Sequence, residues 1–348
     1  MNKNTFLCVI ITCLIFANFF IYSKVISDTI PEAVYPNYVS DKADAENIEE
    51  DSNKEPEVTY LTASTADTKS GDLVLINTTH PYAFDNSPSV VRYLSNVSVY
   101  TAKTPNYSVS NMNVFMDETA IDALNRMMDD FYAHLGNKKT IIVTQGLRTY
   151  EEQQEMLELK ISQLGENQTI AQKPGYSEHH TGLAMDISTY VNGVMGTFTG
   201  ENEYAWVHEN AHKYGFILRY PSGKEDITGI SHETWHFRYV GVPHAQYMYR
   251  NGYTLEEYID ILAMYPFESI QLNITDEVTG KEYSIYSVPV EQDGTRIPVP
   301  ARGYNGYTLS GDNNEHIIVT VEKESAMPSV DTTTPTEDIP TEDTSVTE

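Results

Sequence analysis

The sequence predicts an α+β protein: a domain of interspersed helices and strands, followed by a small all-β module. Between residues 71 and 266, segments with apolar residues at helical spacing alternate with short runs rich in β-branched residues. From 267 to 323 the pattern is strand only, with Thr-Gly and Asp-Gly pairs that mark tight turns. A chain of 348 residues is long enough for one substantial domain and additional segments.

The first half of the domain contains two predicted strands and two predicted helices. GDLVLINTTH (71–80) starts as a strand after a turn, and KKTIIVTQG (138–146) has the composition of a buried strand. Between them, DETAIDALNRMMDDFYAHLG (117–136) is predicted to be a helix with Asp117 as its N-cap, one apolar face and a terminal glycine. TYEEQQEMLELKISQLG (149–165) is the second helix, again ended by a glycine.

The second half of the domain continues the same alternation. ENEYAWVHENAHKYG (201–215) is predicted to be a third helix, and GISHETWHFRYVG (229–241) alternates like a strand. TLEEYIDILAMYP (254–266) is a fourth helix, in which Thr254 and Glu257 have the spacing of a capping box.

The two ends of the chain differ in composition from this core. Residues 1–24 hold an apolar run of about 18 residues flanked by lysines, which we predict to be an uncleaved membrane anchor, with a cleaved signal as the alternative. Residues 25–70 are acidic and predict a disordered spacer, and 324–348 form a Thr/Pro/acid-rich tail that is also predicted to be disordered. We therefore expect a single-pass membrane protein with its folded part outside the cell.

Charge and cysteine content restrict the partners and the means of stabilisation. The formal net charge of −28 argues against nucleic acid as a partner, because phosphate binding requires clustered Lys and Arg. Both cysteines, Cys8 and Cys13, lie within the apolar run, so the exported part has no disulfide. It must be held together by a hydrophobic core or by a metal.

The stretch GYSEHHTGLAMDIS (175–188) is a candidate metal site. It places two adjacent histidines, His179 and His180, shortly before Asp186. A catalytic zinc needs three protein ligands and an open position for water. These residues offer one histidine and the aspartate, but the pattern leaves open which histidine binds, and the third ligand must come from elsewhere.

The second candidate cluster is SHETWHFRY (231–239), with His232, Glu233 and His236. Side chains alternate between the two faces of a strand, so His232 and His236 share one face. Glu233 then takes the other face unless the chain bends. Periodicity alone therefore leaves the position of Glu233 relative to a metal open.

Together, SEHHTGLAMDI and ETWHFRY resemble the signature of the VanY-type D-alanyl-D-alanine carboxypeptidases, peptidase family M15B, over about residues 71–265. The resemblance implies the hedgehog/DD-peptidase-like fold, an antiparallel sheet packed with helices. It also implies one Zn²⁺ per chain with His179, Asp186 and His236 as ligands, and Glu233 as the catalytic base. His180 is then a neighbour of the ligand and not a ligand.

The implied function is that of an exported zinc carboxypeptidase, with residues 71–266 as its catalytic domain. It would remove the terminal D-Ala from peptidoglycan stem peptides by attack of metal-activated water. Arg148 has the fork geometry to bind a free terminal carboxylate, and the resemblance places the substrate-binding arginine there. Ser177 and Gln153 are candidate hydrogen-bond partners of the substrate.

Three alternatives remain at this stage. The protein could be an L,D-carboxypeptidase acting on tetrapeptide stems, a cell-wall binding module without catalysis, or a domain with a structural zinc. The last would need four protein ligands and no spare glutamate nearby. The β module at 267–323 is predicted to be separate, and its tyrosines make wall binding a possible role.

Overall fold

The computed structural model describes residues 58–84, 94–100, 102–111, 113–302 and 304–324. The predicted anchor, most of the acidic spacer and all but the first residue of the tail lie outside these ranges. Within them, no helix combines the length and the apolar character needed to cross a bilayer.

The described residues form six α-helices, fourteen strands and several short 3₁₀ turns. The helices are α1 Glu118–His134, α2 Tyr150–Leu164, α3 Ala205–Asn210, α4 Glu225–Thr228, α5 Val242–Asn251 and α6 Leu255–Leu262. The strands are β1 Val58–Ala63, β2 Leu94–Asn96, β3 Ser108–Val109, β4 Phe115–Asp117, β5 Ile141–Gln145, β6 Ala184–Val191, β7 Val194–Thr197, β8 Phe216–Tyr220, β9 Glu233–Tyr239, β10 Leu272–Thr275, β11 Glu282–Pro289, β12 Thr295–Pro300, β13 Tyr304–Gly311 and β14 His316–Lys323.

A six-stranded sheet is the centre of the first domain. Its order is β3-β5-β6-β9-β8, with β7 also paired to β6, and every pair except β3–β5 is antiparallel. Helix α1 packs the apolar face predicted from its sequence against this sheet, in one core with β5, β6 and β9. The α+β class is confirmed.

The predicted helix boundaries match because local side chains cap the helix ends. Asp117 precedes α1 and its carboxylate accepts a hydrogen bond from the Thr119 backbone N–H. Capping boxes open α2 and α6, the latter between Thr254 and Glu257 as predicted. The predicted helix at 201–215 is instead broken after α3, where the Asn210 amide donates to the Trp206 carbonyl oxygen and competes with the helical hydrogen bond.

The predicted strand at 71–80 is wrong. Residues 71–76 are mostly buried, with Leu73 and Leu75 in a hydrophobic core, but the segment pairs with no strand. Side chains satisfy part of its backbone instead: Arg238 donates to the carbonyl oxygens of Asp72 and Val74, each at 2.9 Å. Burial explains the apolar composition that suggested a strand. Buried backbone groups need hydrogen-bond partners, but these partners can be side chains instead of a neighbouring strand.

The predicted disordered spacer is also wrong in its last part. Residues 58–63 form β1, which pairs antiparallel with β12 along its whole length, and Gly311 of β13 donates to the Ser70 carbonyl oxygen. The partner of β1 lies near the other end of the described chain. An acidic local composition therefore says nothing about a strand whose stability comes from distant residues.

The β module is continuous with the first domain, which corrects the predicted boundary at 266/267. Leu272 and Ile274 of β10 lie in one hydrophobic cluster with residues of α5 and α6. Ile285 of β11 and Ile318 of β14 belong to the same cluster. A shared core of this kind couples the two parts in folding, since apolar burial on one side depends on the other.

His244 links the two parts through its side chain and predicts a pH-dependent stability. It is buried, with Nδ1 2.8 Å from the Tyr258 hydroxyl and Nε2 2.9 Å from the Thr320 hydroxyl. Burial lowers the pKa of His244 to about 4, against a small opposing effect of Asp72. As the pH falls from 6.5 towards 4, the unfolded chain therefore binds a proton that the native chain does not, and the free energy of unfolding decreases.

We expect His244 to contribute a loss of about 2 kcal/mol between pH 7 and pH 5. Urea unfolding of the wild type and of His244→Gln at both pH values isolates this contribution, since other titrating groups are common to both. The exposed His134→Gln is the control and should keep the wild-type pH dependence. Equal pH dependence in His244→Gln and the wild type would contradict the prediction.

Candidate metal centre and carboxylate pocket

Three side chains from three elements meet at one point. His179 lies in the 3₁₀ turn Glu178–Thr181, Asp186 in β6 and His236 in β9, and the β6–β9 register pairs Asp186 directly with His236. One ligand atom from each residue lies within 4.8 Å of the others. Among the described residues this is the one group of three or more His, Cys, Asp or Glu side chains arranged to hold a metal ion.

Hydrogen bonds decide which nitrogen of each histidine faces the site. His179 Nδ1 lies 2.6 Å from the Gly146 carbonyl oxygen, which can only accept, so Nδ1 carries the proton and Nε2 points at Asp186. Burial lowers the pKa of His179 to about 4, which keeps the imidazole neutral as a ligand must be. His236 turns Nδ1 towards Asp186 Oδ1, at 2.9 Å.

The electrostatics of the site favour a cation. Burial alone would lower the pKa of His236, but the Asp186 and Glu178 carboxylates raise it to about 9. The His179 and His236 imidazoles hold the pKa of Asp186 well below its usual value, although burial alone would raise it. Two imidazoles and one carboxylate with a further open position form the donor set of a catalytic zinc, so the residues present fit that ion.

His180 has a different role, and the structure shows which one. Its Nδ1 donates to the Arg148 carbonyl oxygen at 2.8 Å, and its Nε2 accepts from the Gly175 backbone N–H at 3.0 Å. Both nitrogens are therefore used, and the side chain joins two loops at the edge of the site. Gly182 ends the turn at φ 72°, which lets the chain reverse from His179 into β6. Only glycine fits here without strain, because a Cβ at this position would lie 2.5 Å from Leu94 Cδ2.

A β-bulge brings Glu233 to the metal side of the strand. In the β8–β9 pairing, Leu218 lies opposite Phe237 but Tyr220 lies opposite Glu233, so the register shifts between these pairs. The bulge breaks strict alternation, and Glu233 Oε2 lies 3.8 Å from His236 Nδ1. Glu233 is only 5 % exposed, and this burial raises the pKa of its carboxyl to about 7.

Arg148 lines the same pocket. Its Nη2 is 3.4 Å from Asp186 Oδ2, and its Nη1 donates to Gln153 Oε1 at 2.6 Å. The Gln153 amide in turn donates to the Gln172 carbonyl oxygen at 2.7 Å. The oxygen and the nitrogen of the Gln153 amide are thus both hydrogen-bonded within the protein. Gln153 therefore orients Arg148, whereas the sequence suggested that it contacts the substrate. The buried Ser177 lines the pocket, and its contact with substrate stays a prediction.

Two concave regions flank Asp186. The pocket with Arg148 and Glu233 has a volume of about 170 Å³. On the other side of Asp186 lies a groove of about 460 Å³, and Trp235 lines both. The groove is further lined by Thr144, Ile187, Ser188, Met195, Gly196, Thr197 and Phe198. The two regions thus share Asp186 and Trp235 in their linings.

A buried ion cluster next to the site was not predicted from the sequence. Glu178 Oε1 accepts from Arg219 at 2.8 Å and from Arg238 at 2.7 Å, and its Oε2 faces His236 Nε2 at 3.6 Å. The two arginines outweigh burial and hold the pKa of Glu178 well below its usual value. The signal was present in FILRY and HFRYV, where an arginine interrupts an apolar strand and requires a buried partner.

The fold and the site fit the class of metallo-carboxypeptidases, because the candidate metal triad, the buried Glu233 and Arg148 all line one pocket. A family model described as VanY, D-alanyl-D-alanine carboxypeptidase, matches residues 113–242. The D-alanyl-D-alanine carboxypeptidase of Enterococcus faecium is 33% identical over 252 residues, which cover 72% of this chain and 75% of that protein. The putative carboxypeptidase YodJ of Bacillus subtilis (strain 168) is 41% identical over 150 residues, 42% of this chain and 54% of its own length.

Among solved structures, the vancomycin-resistance D,D-dipeptidase VanXYg, in complex with a D-Ala-D-Ala phosphinate analogue, aligns with a TM-score of 0.66 and 30% identity. The alignment covers 77% of this chain and 100% of that one. The chain belongs to the VanY family of D-alanyl-D-alanine carboxypeptidases. The predicted family, fold class and enzyme class are thereby confirmed.

Proposed function

We propose that this protein is a zinc-dependent D,D-carboxypeptidase that removes the terminal D-Ala from peptidoglycan stem peptides. The observation that carries the proposal is that Arg148 and Glu233 line one small pocket together with the candidate metal triad. An arginine in the lining of such a pocket suits a ligand that ends in a carboxylate. An endopeptidase would have no use for it.

Each side chain has a definite task in this proposal. Zinc bound by His179, Asp186 and His236 would lower the pKa of its water and polarise the scissile carbonyl. Arg148 holds the terminal carboxylate, so that the last peptide bond lies beside Glu233. The Glu233 carboxylate accepts the proton of the attacking water and then delivers it to the nitrogen of the departing D-Ala. The 170 Å³ pocket holds this last residue, and the groove beyond Asp186 holds the rest of the stem.

The place of action is part of the proposal. The apolar run in residues 1–24 supports a single membrane anchor in a bacterial cell membrane, with the catalytic domain extracellular. The complete set of three ligands and a base supports catalysis over the alternative of a wall-binding module. Wall binding by the β module has weaker support, because Tyr286, one of its candidate tyrosines, is buried and donates to the Pro298 carbonyl oxygen.

Release of D-Ala from defined stems tests this proposal. The full chain is incubated with a stem pentapeptide and with the tetrapeptide that lacks the last D-Ala, and products are followed by mass spectrometry. We expect release from the pentapeptide that stops after chelation and returns with added zinc. Release from the tetrapeptide alone would replace the proposal by the L,D-carboxypeptidase, and release from neither stem by zinc-loaded protein would contradict it.

The adjacent histidines provide a matched test of the metal site. We expect His179→Ala to lose bound zinc, because Nε2 of His179 is one of three ligand atoms. His180→Ala should retain about one zinc per chain, since both His180 nitrogens are hydrogen-bonded away from the triad. Metal analysis of the purified variants after dialysis distinguishes them. Zinc loss in His180→Ala with retention in His179→Ala would reverse the assignment.

A further inference from the structure

The tip of the β13–β14 hairpin holds a buried asparagine with an unusual position. Asn313 adopts φ 61°, a left-handed conformation that asparagine tolerates better than most residues. Its side-chain amide donates to the carbonyl oxygens of Leu75 at 2.8 Å and Pro81 at 3.0 Å. Its backbone N–H donates to the Thr68 carbonyl oxygen at 2.8 Å. One residue of the β module thus holds Leu75 and Pro81 in a distant stretch of chain, and Thr68 shortly before that stretch.

That stretch is residues 71–84, called here the clamp segment; its first part, residues 71–76, is mostly buried, and no part of it forms a strand. The hairpin holds it at further points: Leu73 N–H donates to Ser310 Oγ at 2.8 Å, and Leu75 N–H donates to the Asp312 carbonyl oxygen at 3.2 Å. Since no strand ladder supports the segment, its path depends on these contacts and on Arg238.

The end of the clamp segment reaches the active site. Immediately after Pro81, Tyr82 N–H donates to the Gly175 carbonyl oxygen at 2.7 Å. The ring of Phe84 lies 4.8 Å from that of His180, with the planes at 64°. His180 receives the Gly175 N–H and donates to the Arg148 carbonyl oxygen. A continuous path therefore leads from Asn313 through the clamp segment and His180 to Arg148.

We propose that the β module completes the substrate site: Asn313 is a positioning residue that sets Arg148 for the terminal carboxylate. This inference rests on the proposed function only where it names the carboxylate. The module lies beyond residue 242, where the family match ends, and its connection to the site runs through the clamp segment. Asn313 is not among the residues that line the pocket, so we expect its removal to act on carboxylate recognition and to leave the metal triad and Glu233 in place.

The test compares Asn313→Gly, which retains the backbone freedom needed at this φ but removes the amide, with Asn314→Ala at the exposed neighbouring position. Both are made in the full chain and assayed on a stem pentapeptide and on its C-terminal amide. We expect Asn313→Gly to raise KM for the free acid about tenfold, the range expected for loss of buried hydrogen bonds, with kcat little changed. Its preference for acid over amide should shrink, while zinc content stays that of the wild type.

Two further measurements keep the test decisive. Hydrogen exchange at the Tyr82 and Gly175 amides should speed up in Asn313→Gly and not in Asn314→Ala, whether or not the protein has the proposed activity. In a double-mutant cycle with His180→Ala, the effects on KM should be clearly non-additive, because both act on Arg148 through one path. If Asn313→Gly does not fold, Phe84→Ala at its half-exposed site should produce the same loss of acid preference.

The outcomes separate the two proposals. An inactive wild type with faster exchange in Asn313→Gly would remove the proposed function but support the path from the hairpin to His180. An active wild type, with Asn313→Gly equal to Asn314→Ala in KM, acid preference and exchange, would overturn the inference and leave the proposed function intact.

Discussion

Replacing Glu233 with glutamine is expected to lower kcat by about 10²–10⁴-fold, the usual contribution of a positioned acid–base group. Glutamine has nearly the same shape but accepts no proton at neutral pH. Glu233 is not one of the three candidate zinc ligands, so Glu233→Gln should retain its zinc and its affinity for the substrate. Steady-state kinetics on a stem pentapeptide and metal analysis of the same preparation check both halves of this expectation.

A matched control is available on helix α2. Glu155 is an exposed glutamate, so Glu155→Gln makes the same chemical change away from the pocket and should leave kcat unaltered. A kcat for Glu233→Gln within tenfold of the wild type, with zinc bound, would mean that another group accepts the proton. Loss of zinc together with activity would instead assign Glu233 to metal binding.

Replacing Arg148 with methionine is expected to raise KM for the free-acid pentapeptide by about 10²-fold, the loss typical when one partner of a desolvated charge pair is removed. The KM of Arg148→Lys should lie between those of the wild type and Arg148→Met, because lysine retains the charge but not the planar fork that matches a carboxylate. Kinetics of both variants on the pentapeptide and on its C-terminal amide provide the measurement.

The amide substrate makes this prediction specific for carboxylate recognition. The wild type should strongly prefer the free acid, whereas Arg148→Met should process acid and amide at similar kcat/KM. Arg126→Met, at an exposed position of α1, should behave as the wild type. If Arg148→Met retained the full preference for the acid, another group would have to bind the carboxylate.

Local chemistry allowed much of this molecule to be predicted from sequence. Asp117, Thr149 and Thr254 cap helices through side chains a few residues away, so α1, α2 and α6 begin where the sequence indicates. The two motifs around His179 and Glu233 carried the family resemblance, and the family is confirmed. The structure also brings the predicted triad and Glu233 together in one pocket.

Other features depended on residues far apart in the chain. Alternation left the position of Glu233 relative to His236 open, and the bulge opposite β8 brings the two side chains together. Gln153 was a candidate substrate contact, but its amide is engaged by Arg148 and Gln172. The buried Glu178 lies within the motif itself, yet its role follows only from the two arginines of strands β8 and β9.

The sequence by itself determined the helices with local caps, the two metal-binding motifs and the family, because each depends on side chains a few residues apart. The tertiary structure alone decided that 58–63 is a strand, that 71–84 is a clamped segment, and that the β module shares a core with the catalytic domain. The physical reason is the same in each case. Those conformations are stabilised by hydrogen bonds and apolar contacts with distant parts of the chain, and local periodicity does not record which distant partner a segment will meet.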